Sequence, residues 1–374
     1  MKAIARLSVA SVAATALFAG VVGATPALAT PTSHAVFVQT DNLKGNQIVA
    51  YDRAGEGTLT QAGIYDTDGL GGQLEGSEVD HLASQGSLAY DSANGLLYAV
   101  NAGSNTVSVF AVLGDRLALR QVISSGGTFP VSIAVHEGIV YVLNALEGGS
   151  VQGFEVSAGR LVALAGSTRA LGLNPTATPQ FTHSPGTVVF SPSGSQLIVT
   201  TKANGNDVDV FSVAPGGLLS GSPVVNPLPG TVPFAITFDQ HEHLILSESA
   251  GALGDFKLDE SGAIEQLDVV PSEQLATCWV VEARGHFYIS NPGSASLSAF
   301  QESANGQVLA LLGDTTTGGG TVDATVTPDG HVLYVQTGAE GDVDEFSVGA
   351  HGELSKLGEV TVPGAIGGEG IVAG

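Results

Sequence analysis

The strongest constraint on the fold is a pair of short strands that recurs along the whole chain. In each copy an apolar run leads through a turn rich in small residues to a second run, in which apolar and small polar residues alternate. Alternation at a period of two is typical of half-buried β-strands. The clearest copy spans residues 96–110. Seven copies are present, and the aromatic residues of their second strands are Tyr51, Phe110, Phe154, Phe211, Phe256, Phe300 and Phe346.

The spacing of these aromatic residues predicts the architecture. Successive spacings are 59, 44, 57, 45, 44 and 46 residues. A period near 45 with room for four short strands is typical of a β-propeller, in which each repeat forms one blade. The two longer steps predict insertions at about residues 66–86 and 166–184 rather than extra blades. We therefore predict an all-β fold, a seven-bladed β-propeller with four antiparallel strands per blade.

The two ends of the repeat region predict how the ring closes. The segment from His34 begins with a second strand and has no inner strand before it, whereas residues 370–373 read as a surplus inner strand. We predict that this C-terminal strand completes the first blade. Closure of the ring would remove the free strand edges that an open sheet exposes.

Residues 1–29 have the pattern of a signal peptide. Lys2 and Arg6 are basic, residues 7–22 are apolar, and Ala27 and Ala29 form a small-x-small cleavage site. The apolar run is shorter than the roughly 20 residues that a membrane span needs. We therefore predict a secreted protein whose mature chain, residues 30–374, is a single monomeric propeller domain without a membrane span.

Composition narrows the classes of partner. The chain has 12 Lys and Arg against 36 Asp and Glu, a net charge of −24, which disfavours binding to nucleic acid and to anionic lipid. Cys278 is the single cysteine, so no intrachain disulfide can form. The sequence has no nucleotide-binding loop, no metal-ligand cluster and no nucleophile elbow. We predict no cofactor and no metal, and a partner that is a small molecule, a glycan or an extracellular protein.

Strand order predicts which face of the propeller carries the site. Connections from second to third strands emerge on the same face as connections from outer strands to the next inner strands. Both long insertions are of the latter type, so they lie on this face. Long loops on a rigid scaffold commonly carry binding residues. We predict that the functional site lies there.

Residues 99–105, 141–144, 190–194 and 277–281 resemble the lactonase-type seven-bladed propeller family, which includes 6-phosphogluconolactonase and carboxymuconate cyclase. The resemblance covers the chain from about residue 34 to residue 374 and is greatest to an exported, actinobacterial-type branch. It implies a propeller fold and lactonase-like chemistry. Three positions of the family's functional pattern can be placed in this sequence. Gly186 stands where the family has a histidine, and Phe234-Ala235 stand where it has an Arg-His pair. Glu248 retains the carboxylate of the third position.

The resemblance and the strand register together give the candidate site residues. Glu248 is a catalytic candidate as a general base, with a solvated turn carboxylate as the alternative, and His183 could reach the site from its loop. We predict an inert buried thiol at Cys278 rather than a nucleophile. The predicted ligand-binding residues at the channel mouth are Trp279, Asp323, Glu369, Lys202 and Asn101. For Trp279, ligand stacking and plain filling of the channel both remain open.

Three functions remain open at this stage. The first is an extracellular propeller with a degraded catalytic signature that binds a small neutral or cationic molecule, a glycan or a protein. The second is a hydrolase or cyclase of a neutral lactone that acts through Glu248. The third is a structural or adhesive role. A phosphorylated lactone is disfavoured because phosphate recognition needs Arg or Lys, and only Lys202 is predicted near the mouth.

Overall fold

A computed structural model describes Met1, residues 34–303 and residues 308–374. Apart from Met1, the predicted signal peptide lies outside the described residues. The described residues form seven antiparallel sheets with four strands each, and one sheet has a short fifth strand. This arrangement confirms the prediction of a seven-bladed β-propeller.

The first four blades follow the chain. Blade 1 contains β1 (Ala35–Gln39), β2 (Gln47–Arg53) and β3 (Leu59–Asp66). Blade 2 contains β4 (Leu88–Asp91), β5 (Leu96–Asn101), β6 (Thr106–Leu113) and β7 (Arg116–Ser124). Blade 3 contains β8 (Pro130–His136), β9 (Ile139–Asn144), β10 (Ser150–Ser157), β11 (Arg160–Ala163) and the short β12 (Arg169–Ala170). Blade 4 contains β13 (Val188–Phe190), β14 (Gln196–Thr200), β15 (Asp207–Ser212) and β16 (Val224–Pro227).

The remaining blades repeat the same order. Blade 5 contains β17 (Pro233–Phe238), β18 (Leu244–Glu248), β19 (Ala252–Leu258) and β20 (Ile264–Pro271). Blade 6 contains β21 (Val280–Ala283), β22 (His286–Asn291), β23 (Ser296–Glu302) and β24 (Val308–Thr316). Blade 7 contains β25 (Thr321–Val326), β26 (Val332–Thr337), β27 (Asp342–Val348) and β28 (Leu354–Thr361). The last strand is β29 (Ile371–Ala373), and two one-turn helices are α1 (Gln180–His183) and α2 (Lys202–Gly205).

Burial explains why the strands differ in sequence. The second strands are packed between blades on both faces, and β5 is buried at every position. A strand buried on both faces reads as a continuous apolar run. The outer strands keep one face in solvent, and in β3 only Leu59 is buried while the other residues are exposed or half-buried. The seven aromatic residues that mark the repeat are all buried, because the third strands also pack between neighbouring blades.

The C-terminal strand closes the ring as predicted. β29 pairs antiparallel with β1, and Val38 lies opposite Ile371 in the register. The Gln39 N–H donates to the Gly370 carbonyl at 2.8 Å, and the Gly374 N–H donates to the Ala35 carbonyl at 2.9 Å. Blade 1 is therefore built from both ends of the propeller.

The first long insertion, residues 67–87, is a central loop that contacts the inner strands of several blades. The side-chain oxygen of Gln85 accepts a hydrogen bond at 2.9 Å from the backbone N–H of Val280, which lies in blade 6. The backbone N–H of Gln85 donates at 3.0 Å to the carbonyl of Gly186, which precedes the inner strand of blade 4. The Ser84 hydroxyl donates to the Val131 carbonyl at 2.8 Å in blade 3. Only a segment lying across the channel can reach inner strands on several sides of the ring.

Among the described residues, no helix is both long and apolar enough to cross a membrane.

Candidate functional site

A cavity of about 760 Å³ opens on the loop-bearing face. Its wall is formed by the central loop, by α1 and α2, and by the connections that precede or follow strands of blades 4, 5 and 6. The lining residues are Gly76, Glu78, Val79, Asp80, Ala83, Phe181, Thr182, Lys202, Ala203, Val232, Phe234, Ser249, Ala250, Ala276, Cys278, Pro292 and Gly293. A cavity of this size suits a small-molecule ligand.

Lys202 is the cation of the cavity wall. It begins α2, where blade 4 passes from its second to its third strand, and its side chain is 1% exposed. Its ammonium group donates to the carbonyls of Ala83 and Phe181, both at 2.6 Å, and lies 5.3 Å from the centre of the Phe234 ring. An ammonium group has three donors. The two carbonyls are its only hydrogen-bond acceptors in the described part of the chain, which leaves one donor for a ligand.

Asp80 is the buried carboxylate of the same wall. The Ser77 hydroxyl donates to its Oδ1 at 3.0 Å. Burial raises the pKa of Asp80 to about 6, although the Lys202 charge opposes this rise. Burial also lowers the pKa of Lys202 to about 8, against the attraction of Asp80 and Glu369. At neutral pH the Lys202 ammonium and the Asp80 carboxylate therefore line one cavity. Within the described part of the chain, these two groups form no direct ion pair with each other.

Cys278 also lines the cavity but is a poor nucleophile. Its sulfur lies 3.3 Å from the Ser249 hydroxyl, and the residue is 7% exposed. Burial raises the pKa of the thiol to about 12. Since the thiolate is the reactive form, the thiol at neutral pH is protonated and unreactive.

Trp279 lies beneath the cavity rather than in its wall. The residue is fully buried, and its indole N–H donates to the Ser84 carbonyl of the central loop. Its ring meets the Phe234 ring edge-on, with centroids 4.9 Å apart. Phe234 does line the cavity. A ligand would therefore contact Phe234 directly and Trp279 only through it.

Asp323, Glu369 and Asp41 form a cluster of buried carboxyl groups beside the start of β29. Glu369 is fully buried and accepts hydrogen bonds from the Ser84 N–H at 3.2 and 3.3 Å, and its own N–H donates to Asp41 at 2.9 Å. Burial raises the pKa of Asp41 and of Asp323 to about 7, and it raises the pKa of Glu369 well above its usual range. None of the three lines the cavity.

The two catalytic candidates do not share a pocket. Glu248 is buried at the end of β18, where burial raises its pKa, but the cavity is lined by the next residue, Ser249, and not by Glu248. The His183 ring lies 2.8 Å from the Thr182 hydroxyl and lines a separate small hollow beside Asn204. Their catalytic roles stay predictions.

Asn101 lies at the end of β5, away from the cavity wall. It is fully buried, and its amide group donates to the Ser108 hydroxyl at 2.8 Å. Its oxygen accepts a hydrogen bond from the Asn46 amide at 3.2 Å. Its hydrogen bonds join blades 1 and 2, and a ligand-binding role for it stays a prediction.

Asp80 and Phe181 are site residues that the sequence reasoning missed. Both lie in the long insertions, where no periodic pattern marks which side chains turn inward. A buried lysine usually has a carboxylate nearby, but the burial of Lys202 is known only from the structure. The described residues contain no group of three or more His, Cys, Asp or Glu arranged to hold a metal ion.

The fold and this cavity define a closed seven-bladed propeller with a ligand-sized site on its loop-bearing face. The chain belongs to the lactonase family of seven-bladed β-propellers, whose model matches residues 51–367. No curated protein matches the chain. The family assignment confirms the resemblance at the level of the family, while membership of an exported branch stays a prediction.

Solved structures share the fold at low sequence identity. A periplasmic gluconolactonase from Pseudomonas aeruginosa is 18% identical, with a TM-score of 0.72 over 90% of this chain and 98% of that one. A candidate 6-phosphogluconolactonase from Bacteroides fragilis is also 18% identical, with a TM-score of 0.72 over 90% and 97%. A protein from Lactobacillus plantarum is 21% identical, with a TM-score of 0.69 over 89% and 98%. Identities this low support the fold alone.

Proposed function

We propose that this protein hydrolyses a neutral lactone in the cavity that Lys202 and Asp80 line. The observation that carries the proposal is the presence of an ammonium and a carboxylate in the wall of one cavity of a lactonase-family propeller. Their shifted pKa values, about 8 and about 6, bracket neutral pH. Groups with such shifts in a cleft are candidates for acid–base chemistry.

The chemistry needs only these two groups and a water molecule. The remaining donor of Lys202 binds the lactone carbonyl oxygen and stabilises the negative charge that develops there. Asp80 accepts a proton as the water oxygen forms its bond to the carbonyl carbon. The ring C–O bond then breaks, and the proton passes from Asp80 to the departing ring oxygen. The product is an open-chain hydroxy acid, which releases its acid proton to solvent and leaves as its carboxylate.

The charge of the wall favours a substrate without a phosphate. Phosphate recognition usually employs arginine in a bidentate geometry, and the cavity wall contains Lys202 but no arginine. Glu78 and Asp80 in the same wall would repel a dianion. We expect purified protein to hydrolyse neutral lactones faster than 6-phosphogluconolactone. A rate for the phosphorylated lactone far above both spontaneous hydrolysis and the neutral-lactone rate would contradict this preference.

Substitution at Asp80 tests the proposed base. We expect Asp80→Asn to lower kcat/KM for a neutral lactone about 100-fold or more, because positioned general bases typically contribute that much. Asp209→Asn is a matched control, since Asp209 is also a buried carboxyl with a pKa raised to about 7 but lies outside the cavity. Lys202→Met should also reduce the rate, with thermal melting used to confirm that each variant folds. Loss of activity in Glu248→Gln with full activity in Asp80→Asn would show that Glu248 is the base instead.

The pH dependence gives a second, independent test. Below about pH 6 Asp80 is protonated and cannot accept a proton, and above about pH 8 Lys202 loses its charge. After subtraction of spontaneous hydrolysis, kcat/KM should therefore follow a bell-shaped curve centred near neutrality. The acidic limb should disappear in Asp80→Asn. A profile that rises steadily with pH would contradict the roles given to both residues.

A non-catalytic binding function is the second candidate. It is favoured by the internal hydrogen bonds of both groups, since Lys202 donates to two backbone carbonyls and Asp80 accepts from Ser77. Charged groups that are held by internal hydrogen bonds can stabilise the wall of a cavity, and such structural networks also shift pKa values. If no lactone is hydrolysed above its spontaneous rate, the cavity would be a binding site for a small neutral or cationic molecule.

We also propose that the protein acts outside the cell, on the basis of the signal-peptide pattern in residues 1–29. The mature N-terminus should lie at or close to Thr30. Intact-mass measurement of the protein recovered from culture medium tests this. Retention of residues 1–29 on the recovered chain would show that the segment is not cleaved.

A further inference from the structure

Most of the cavity wall is apolar. Val79 comes from the central loop, Phe181 from α1, Phe234 from β17, and Val232 and Pro292 from connections of blades 5 and 6. The polar side chains of the wall are those of Glu78, Asp80, Thr182, Lys202 and Ser249. Two of these are the groups to which we give the chemistry, so few polar side chains remain to bind the rest of a ligand.

This wall is poorly suited to a sugar lactone. A polyhydroxylated ring presents several hydroxyl groups, and each needs a hydrogen-bond partner once it leaves water. The Ser249 hydroxyl is already in contact with the Cys278 sulfur, and the Thr182 hydroxyl lies within hydrogen-bond distance of the Pro179 carbonyl at 3.2 Å. A cavity of about 760 Å³ is also larger than a single sugar ring requires.

An exposed apolar side chain also lies at the edge of the cavity. Leu275 is 68% exposed and lies against Gly293 of the wall. An exposed apolar side chain beside a largely apolar cavity offers a continuous surface to a ligand that extends out of it.

On the basis of the proposed function, we infer that the substrate is a lactone that carries an apolar alkyl or acyl chain. The ring carbonyl would lie between Lys202 and Asp80. The chain would lie along Phe181, Phe234 and Val232 toward Leu275. Burial of the chain would supply affinity, while the two charged residues would orient the ester.

The chain contains a built-in reporter for ligand binding. Trp279 is the single tryptophan, and it contacts Phe234, which lines the cavity. A ligand that packs against Phe234 should therefore change the tryptophan fluorescence. This readout depends on binding and is independent of turnover.

The experiment uses two matched ligand series with the mature protein. Lactams with alkyl chains of increasing length measure binding, because the ring amide resists hydrolysis, and the corresponding lactones measure kcat/KM. We expect the Kd of the lactams to fall about three- to fourfold for each added methylene until the cavity is filled. Glucono-lactam, the polyhydroxylated comparator, should give no fluorescence change over the same concentrations.

A pair of alanine substitutions tests where the chain lies. Ala250 is exposed in the turn between β18 and β19 and lines the cavity, so Ala250→Phe should fill the space and abolish the dependence on chain length. Ala93 is exposed in the turn between β4 and β5 of blade 2 and does not line the cavity, so Ala93→Phe should bind like the unmodified protein. Equal effects of the two substitutions would overturn the placement.

The outcomes separate the inferred ligand class from the proposed chemistry. Length-dependent lactam binding without lactone hydrolysis would support the apolar ligand and overturn the hydrolase. Lactone hydrolysis with no dependence on chain length, or with preference for gluconolactone, would support the hydrolase and overturn the apolar ligand. Absence of both binding and hydrolysis would overturn both.

Discussion

At the scale of single residues, buried tyrosines connect neighbouring blades. Tyr141, Tyr288 and Tyr334 occupy the same position in the second strands of blades 3, 6 and 7, and all are fully buried. Each hydroxyl donates to a glycine carbonyl in the turn before the outer strand of the next blade. The acceptors are Gly217 at 2.7 Å, Gly352 at 3.0 Å and Gly57 at 2.5 Å. The last of these crosses the closure between blades 7 and 1.

Removal of one tyrosine hydroxyl should lower stability measurably. We expect Tyr288→Phe to reduce the free energy of unfolding by about 1 kcal/mol, because the Gly352 carbonyl loses its partner in a buried site. Urea denaturation followed by tryptophan fluorescence measures the change. Tyr90→Phe is the control, since Tyr90 is half-buried and makes no hydroxyl hydrogen bond within the described chain, and it should change stability by less than about 0.5 kcal/mol. Equal losses in both variants would contradict this explanation.

The buried thiol gives a second prediction at this scale. Burial raises the pKa of Cys278 to about 12. The folded protein should therefore react with a thiol reagent such as DTNB far more slowly than the protein unfolded in about 8 M urea. A free cysteine-containing peptide is the reference. Reaction of the folded protein at the peptide's rate would show that a thiolate is accessible in the cavity.

At the scale of elements, β29 is the strand on which the ring depends. It joins β1 by the register from Val36 to Val38, and its residue Ile371 is buried in the core between blades 1 and 7. Deletion of residues 366–374 should expose the inner edge of β1 and cause a large drop in melting temperature or loss of soluble protein. Removal of Gly374 alone, which deletes a single backbone hydrogen bond, is the control. An unchanged melting temperature after the longer deletion would contradict closure by this strand.

The strands could be predicted from the sequence, whereas the path of the central loop could not. The strand pair predicted at residues 96–110 corresponds to β5 and β6, because alternation and the aromatic residue Phe110 are local signals. The central loop was predicted only as an insertion. Its contacts join Ser84 to Trp279 and Gln85 to Val280 across 195 residues of sequence, and no local pattern encodes such a pairing. Lys202 was placed near the mouth from strand order, whereas its neighbour Asp80 became apparent only from the path of the loop.

At the scale of the whole molecule, buried carboxyl groups set the dependence of stability on pH. Asp41 and Asp323 have a pKa of about 7 in the folded protein, raised by burial from the usual 3.8. Between these values the folded state binds protons that the unfolded chain has lost. The free energy of unfolding therefore decreases as pH rises through this window, because the folded state must accommodate buried charge.

We accordingly expect a higher melting temperature at pH 5 than at pH 8. The net charge of −24 acts in the same direction, since protonation reduces repulsion within the folded chain. Differential scanning calorimetry between pH 5 and pH 8 measures the effect. Asp323→Asn should reduce the difference between the two pH values, because that side chain no longer titrates, whereas Asp68→Asn in the exposed loop should leave it unchanged. A melting temperature that increases from pH 5 to pH 8 would contradict the assignment.

The pairing of β29 with β1 has a consequence for the order of synthesis. β1 and β29 pair with each other, with Val36 opposite Ala373, although they lie more than 330 residues apart in the sequence. The ribosome therefore produces β1 long before β29. During that interval blade 1 lacks its inner strand, so the other blades can form before the ring is complete. Contacts between such distant segments form slowly because the chain must first close a long loop. The ring can therefore close only after β29 has left the ribosome, and until then the nascent chain presents an unpaired strand edge to whatever chaperone accompanies it.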